Sequence, residues 1–351
     1  MIMRQILSLL ALSAMLFLLC NCGPDDVPPP KTTCVTGCCD PVCPPEYTIL
    51  DHTEWELSGS NPVFELNFEA GSWDEKVVSG ENIIWFRDTL RMYYEGAAIE
   101  NLETGMSIGY AWSLDGVTWK RWPDPVLEPL PGNWDYPHLA SPRLLVDGDT
   151  LRMWYGSGDY LDRGMRIGLA SSVDGINWIR HGDPVMTPNG TWNDGVLPGP
   201  VMKEDGLYKM WFLGGRGGLY YPTASAIWKT GYATSADGIT WEMMSEPVLD
   251  TGTTFDYNSA VAGSVLKVGN LYEMWWTGGK KISSYTDSKI AFATSDDGIT
   301  WEKYEGNPLI EISRGSRGLF FPSVVRHDSQ LLMWYSAWHP GPSIHLASTD
   351  F

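Results

Sequence analysis

The chain has 351 residues and a formal net charge of −19, from 43 Asp and Glu against 24 Lys and Arg. A chain this acidic excludes nucleic-acid binding through phosphate contacts, which needs a basic face; a solvated acidic surface is the simple reading. Eighteen Trp, 16 Tyr and 10 Phe can fill a large apolar core.

Residues 1–22 read as a signal peptide. Arg4 is followed by an apolar run, Ile6 to Leu19, too short for a comfortable membrane span. Cys20 and Cys22 come next, and the segment resembles a bacterial lipoprotein signal, in which such a Cys is lipidated. Leu19 and Asn21 stand where that signal prefers small residues, so ordinary cleavage and secretion is the alternative. The expected location is the outer surface or periplasm of a bacterium, or secretion, with membrane contact only through a lipid anchor. Residues 23–45 hold Cys34, Cys38, Cys39 and Cys43 in a Pro-rich stretch. Their spacing is not a standard zinc pattern, so a disulfide-tied tether is expected rather than a metal knot.

Residues 46–351 repeat one sentence. Ser-x-Asp-Gly-x-x-Trp occurs at 113–119, 172–178, 235–241 and 295–301, with successive Trp residues 59, 63 and 60 apart. Before each copy come an apolar run, a polar turn, an aromatic strand, a Gly-rich loop of variable length and a third strand. The aromatic strands are Met92-Tyr93-Tyr94, Met153-Trp154-Tyr155, Met210-Trp211-Phe212, Met274-Trp275-Trp276 and Met333-Trp334-Tyr335. Asp-Gly between β-favouring runs signals a hairpin, and no stretch keeps a period of 3.6. Four antiparallel strands per unit predict an all-β fold, a five-bladed β-propeller. The fifth unit lacks its outer strand. Trp55 with Asn61-Pro62-Val63 matches Trp301 with Asn307-Pro308-Leu309, so residues 53–65 are expected to supply it and close the ring, as a monomer.

The order of strands decides which loops share a face. The Asp-Gly turns lie on one side with Asp115, Asp174, Asp237 and Asp297, which read as turn formers. The blade-joining loops and the long loops between second and third strands lie on the other, where variable loops tend to carry function. A second repeat runs through the joining loops: Trp73-Asp74, Trp134-Asp135, Trp192-Asn193-Asp194 and Phe255-Asp256. Each Asp could simply cap its own loop. Residues that break the repeat, Glu75, His138, Arg317 and His339, are stronger candidates for a site. Glu81 and Arg143 read as standing where other repeats have Val201, Val265 and Val324, and as neighbours of one another.

The inner strand with its Met-Trp-Tyr partner, and the Ile-Gly-x-Ala-x-Ser-x-Asp-Gly-x-x-Trp hairpin, resemble the five-bladed propellers of glycoside hydrolase families 43 and 32 over residues 53–351. That resemblance implies a carbohydrate ligand and two flanking carboxyls. It also implies an Asp base on the first inner strand, an Asp in the second and a Glu acid in the third. Ser79, Ser141 and Pro198 occupy those positions, so no acid–base pair carries over. Either loop carboxyls replace it, from Asp74, Glu75, Asp135 and Asp194, or the domain binds glycan without cleaving it. Glu81, His138, Arg143, Asp256, Arg317 and His339 are the expected substrate-binding residues. No cofactor is implied, and a metal ion in the channel is left open.

Overall fold

The computed structural model describes residues 54–98, 105–158, 164–216, 226–282, 285–311, 318–338 and 341–350. The leader, the Cys-rich stretch, Arg317 and His339 lie outside the described residues. Every regular element among the described residues is a β-strand, and none of them forms a helix long and apolar enough to cross a membrane.

The strands build a β-propeller. In the first repeat the inner strand Val77–Trp85 pairs with Leu90–Ala97, then Ser107–Ser113, then the short outer strand Lys120–Arg121. The second repeat runs the same way through Leu139–Asp147, Thr150–Ser157, Arg166–Ser172 and Ile179–Arg180. The fourth does so through Ser259–Val268, Leu271–Ile282, Tyr285–Ser295 and Glu302–Lys303. The third repeat is divided. Gly195–Leu197, Leu213–Arg216 and Ile227–Thr230 join the fourth repeat's sheet, whereas Val201–Glu204, Leu207–Met210, Ala233–Ser235 and Glu242–Met243 form their own. The division falls at Pro198-Gly199-Pro200, where two prolines without N–H groups interrupt the ladder.

The last repeat, Leu319–His327, Gln330–Trp338 and Pro342–Asp350, takes its outer strand from the other end of the described chain. Glu56 and Leu57 pair with Ser348 and Ala347, and Phe64–Glu65 pairs further along the same strand. The Asn-Pro match behind this expectation has a physical meaning. The Asn61 amide bonds both the N–H and the carbonyl of Leu346, at 2.7 and 2.8 Å. Asn307 does the same to Phe292, at 2.8 Å each.

The Asp-Gly hairpins lock repeats together. In each, one Asp oxygen accepts two backbone N–H groups and the Ser hydroxyl; for Asp115 these come from Val117, Thr118 and Ser113. Those bonds favour the charged carboxylate, and backbone N–H donors hold Asp237 and Asp297 down to about 2. The turn glycine, at a positive φ of 74 to 83°, then offers its carbonyl to the aromatic strand of the preceding repeat. Tyr93 donates to Gly175, Trp154 to Gly238, Trp211 to Gly298 and Trp334 to Gly116, at 2.7–3.0 Å. The last of these joins the fifth repeat to the first. The turn is thus a key, and the buried Trp or Tyr is its lock.

Near the axis the inner strands meet in one apolar cluster. Val77, Ala140, Leu197 and Val261 are buried together with Met106, Met165, Leu213 and Trp228, and Phe321 packs against them. All five repeats contribute, and the cluster plugs the centre of the ring.

Two sequence registers need correction. Ile83 and Leu144, not Glu81 and Arg143, stand with Val201, Val265 and Val324, each opposite the Met of its aromatic strand. Likewise Gly80, not Ser79, shares the position of Ser141 and Pro198. The inner strand carries a bulge just before these positions, two residues opposite one, in the first, second, fourth and last repeats alike.

Candidate functional site

The joining loops cross the face opposite the Asp-Gly turns. Each enters its repeat by stacking an aromatic ring on the second strand: Trp73 on Tyr94, Trp134 on Tyr155, Trp192 on Phe212 and Phe255 on Trp276, with centroids 5.6–6.1 Å apart. A side chain at Gly96 or Gly109 would run into the Trp73 ring, which explains the glycine of the Ile-Gly-x-Ala strand.

The Asp after that ring is buried and paired. Asp74 meets Arg121 and accepts the Tyr94 hydroxyl at 2.8 Å. Asp135 meets Arg180 at 2.8 Å and Tyr155 at 3.2 Å. Asp256 meets Lys303 at 2.7 Å. Each cation also donates to a carbonyl near the start of the same loop, those of Glu65, Glu128 and Asp250. One side chain therefore grips both ends of each loop. The third repeat lacks both charges together, with Asn193 in the Asp position and Met243 in the cation position. A buried charge left without its partner is costly, so the two vanish as a unit. The carboxylates of Asp74, Asp135 and Asp256 are thus each ion-paired to the outer strand of their own repeat.

Residues past this clamp reach the surface. Glu75, Tyr136 and Tyr257 follow the paired Asp in their repeats. The Glu75 carboxylate accepts the Gly71 N–H at 3.2 Å and lies 3.9 Å from Lys76. The third loop is one residue shorter, so Asp194 comes one step nearer the inner strand. Its N–H bonds the Gly215 carbonyl, as those of Lys76 and Asn258 bond Ala97 and Gly279. Asp194 is half-buried, and Tyr136 and Tyr257 are 49% and 58% exposed.

Glu81, Arg143 and His138 are buried within the ring. Arg143 lies against the carbonyls of Gly80 and Glu81, at 3.4 Å each, so the expected proximity to Glu81 is found. The Glu81 carboxyl accepts the Ser336 hydroxyl from the last repeat. Burial pushes it up to about 8, with Arg143 opposing and Glu95 reinforcing that change.

Sequence reasoning missed Glu95. It is wholly buried and accepts the N–H and hydroxyl of Ser141 and the hydroxyl of Ser79. The signal was available, because Glu95 stands where other repeats have Gly156, Leu213, Thr277 and Ser336. Thr277 and Ser336 play the same part, accepting the N–H groups of Phe321 and Gly80. The three residues whose N–H groups are so held, Gly80, Ser141 and Phe321, all sit at positive φ in the inner-strand bulge. Glu95 is thus a cap on a strained backbone. Among the described residues, no group of three or more His, Cys, Asp or Glu is placed to hold a metal ion.

Residues 185–339 match the model of the glycosyl hydrolases family 32 N-terminal domain. Uncharacterized proteins from two strains of Mycobacterium tuberculosis are 31% identical over 182 residues, 50% of this chain. The match spans 58% of the length of those relatives. A solved glycoside hydrolase superposes with a TM-score of 0.68 at 18% identity, over 82% of this chain and 91% of that one. A complex of BT0996 with RGII gives 0.65 at 20%, over 78% and 87%. A third structure comes from the GH130 family, described as mannoside phosphorylases containing glycoside hydrolases that target beta-1,2 mannosidic linkages in Candida mannan. It gives 0.66 at 16%, over 85% and 94%. The fold is a glycoside hydrolase-like propeller.

Proposed function

We propose that this protein is an exported, glycoside hydrolase-like propeller of five blades that acts on oligosaccharide or polysaccharide at the face carrying its joining loops. The signal-peptide reading of residues 1–22 supports export, with a lipid anchor as the membrane contact and a monomer as the working form. One observation carries the choice of face. The Asp-Gly turns are consumed in locking repeats together, whereas the joining loops, once clamped, still present Glu75 and Asp194 to solvent. In this reading Asp194 is the acid and Glu75 the base, the chemical minimum of two carboxyls that glycosidic cleavage requires. Structural neighbours that include glycoside hydrolases and a glycan complex support a saccharide ligand.

A second reading, glycan binding without turnover, is favoured by the apolar plug and by the absence of carboxyls at Gly80, Ser141 and Pro198. The test is hydrolysis of a panel of neutral oligosaccharides, followed by product analysis. Turnover that falls at least a hundredfold in Glu75→Gln or Asp194→Asn supports cleavage by this pair. Binding with no products supports the second reading, and turnover unchanged in the double variant refutes the assignment.

A further inference from the structure

Two tyrosines on the joining-loop face have no ring or hydrogen-bond partner among the described residues. Every aromatic ring that opens a described joining loop, from Trp73 to Phe255, is stacked on its own sheet. Tyr136 and Tyr257 are different. They occupy equivalent places, directly after Asp135 and Asp256, where the first repeat has Glu75. Each is about half exposed, and neither ring contacts another ring or hydrogen-bond partner among the described residues. An aromatic held open by a rigid loop costs apolar exposure without adding to the core. The loops beneath them are rigid for the reasons given above, since Arg180 and Lys303 each grip both loop ends.

Their placement around the ring is also specific. Tyr136 enters the second repeat and Tyr257 the fourth, so they flank the third, whose shortened loop carries Asp194. We infer that Tyr136 and Tyr257 are the two stacking platforms of a neutral oligosaccharide site, lying on either side of Asp194. This inference rests on the saccharide reading of the same face. A tyrosine offers an apolar ring face and a polar edge, which matches a sugar ring with a C–H face and a hydroxyl rim. Two separate platforms imply a ligand of at least two sugar residues. The acidic chain, at −19, repels uronic or sulfated glycans from long range and leaves neutral ones unaffected.

The experiment is calorimetric titration of the full chain with gluco-, manno- and fructo-oligosaccharides, and with one uronic-acid oligosaccharide as the charged probe. Tyr136→Ala and Tyr257→Ala should each weaken the best neutral probe about tenfold, while Tyr136→Phe and Tyr257→Phe stay within about twofold. Affinity should change less than about twofold when salt is raised, because no charge is being neutralised. Both positions are exposed, so unchanged thermal midpoints should show that all four variants are folded. Ala variants that bind as tightly as wild type, or preferential binding of the uronic probe, overturn the inference and leave the face assignment standing. Wild type binding none of the probes overturns the saccharide reading itself, and this inference with it.

Discussion

Glu81→Gln probes the seam where the two ends of the propeller meet. Glu81 belongs to the inner strand of the first repeat, and its hydrogen-bond donor, Ser336, belongs to the last. The carboxyl is fully buried and raised from 4.5 to about 8, chiefly by loss of hydration, so it is largely protonated in the folded protein near neutrality. The sign follows directly. A folded pKa above the unfolded one means that the folded state holds the proton more tightly, so the contribution is complete below pH 4.5. It is lost as pH rises from there through about 8. At about 1.4 kcal/mol per pH unit, the interval from 4.5 to about 8 is worth on the order of 5 kcal/mol. Water entry on ionisation would reduce this to a few kcal/mol. Gln keeps the shape and an acceptor for Ser336 but cannot ionise. Urea unfolding of wild type and Glu81→Gln between pH 5 and 8 should show the variant gaining on wild type by about 1 kcal/mol per pH unit over most of this range, levelling off near pH 8. Parallel stability curves would refute the reasoning, because they would mean that Glu81 ionises freely in the folded protein.

The loop clamps predict a rescue: Asn193→Asp alone should destabilise by about 2–4 kcal/mol, and adding Met243→Arg should recover most of it in a double-mutant cycle read by denaturant unfolding. At the acidic end, carboxyls held low in the fold contribute stability above their unfolded pKa near 4 and lose it as pH falls toward about 2. Asp237, Asp297 and Glu204 are of this kind. Thermal midpoints should therefore drop below pH 4, with stability greatest around pH 4–6. Gly109→Ala should cost about 1–3 kcal/mol, because its methyl would overlap the Trp73 and Tyr94 rings; an unchanged unfolding midpoint would contradict that packing.

The fold was legible because its devices are local and recur. Asp-Gly hairpins, Met-aromatic strands and the Asn-Pro pair each announce themselves within a few residues, and Asn61 and Asn307 prove to make the same two bonds. The register of the inner strands is set by the Met of the aromatic strand, nine residues on in every repeat, and that spacing, rather than the neighbouring bulge, separates Ile83 and Leu144 from Glu81 and Arg143. The site was readable only in part, since recurrence marks a functional ring and a structural one alike. Asp74, Asp135 and Asp256 recur because each holds a cation in the outer strand of its own repeat, 45 to 47 residues later in the chain. That pairing could have been found by noting that Asn193 and Met243 change together. Glu95 was overlooked because its backbone partner, the Ser141 N–H 46 residues on, is turned toward it only by the bulge in the neighbouring inner strand.

The face that holds the ligand is the central claim, and a crystal structure of the full chain with a bound neutral oligosaccharide tests it most directly. Density is expected over the joining loops, beside Asp194 and within reach of Glu75. Density on the face of the Asp-Gly turns, or in the cavity of about 440 Å³ lined by Arg152, Arg180 and His181, would contradict it.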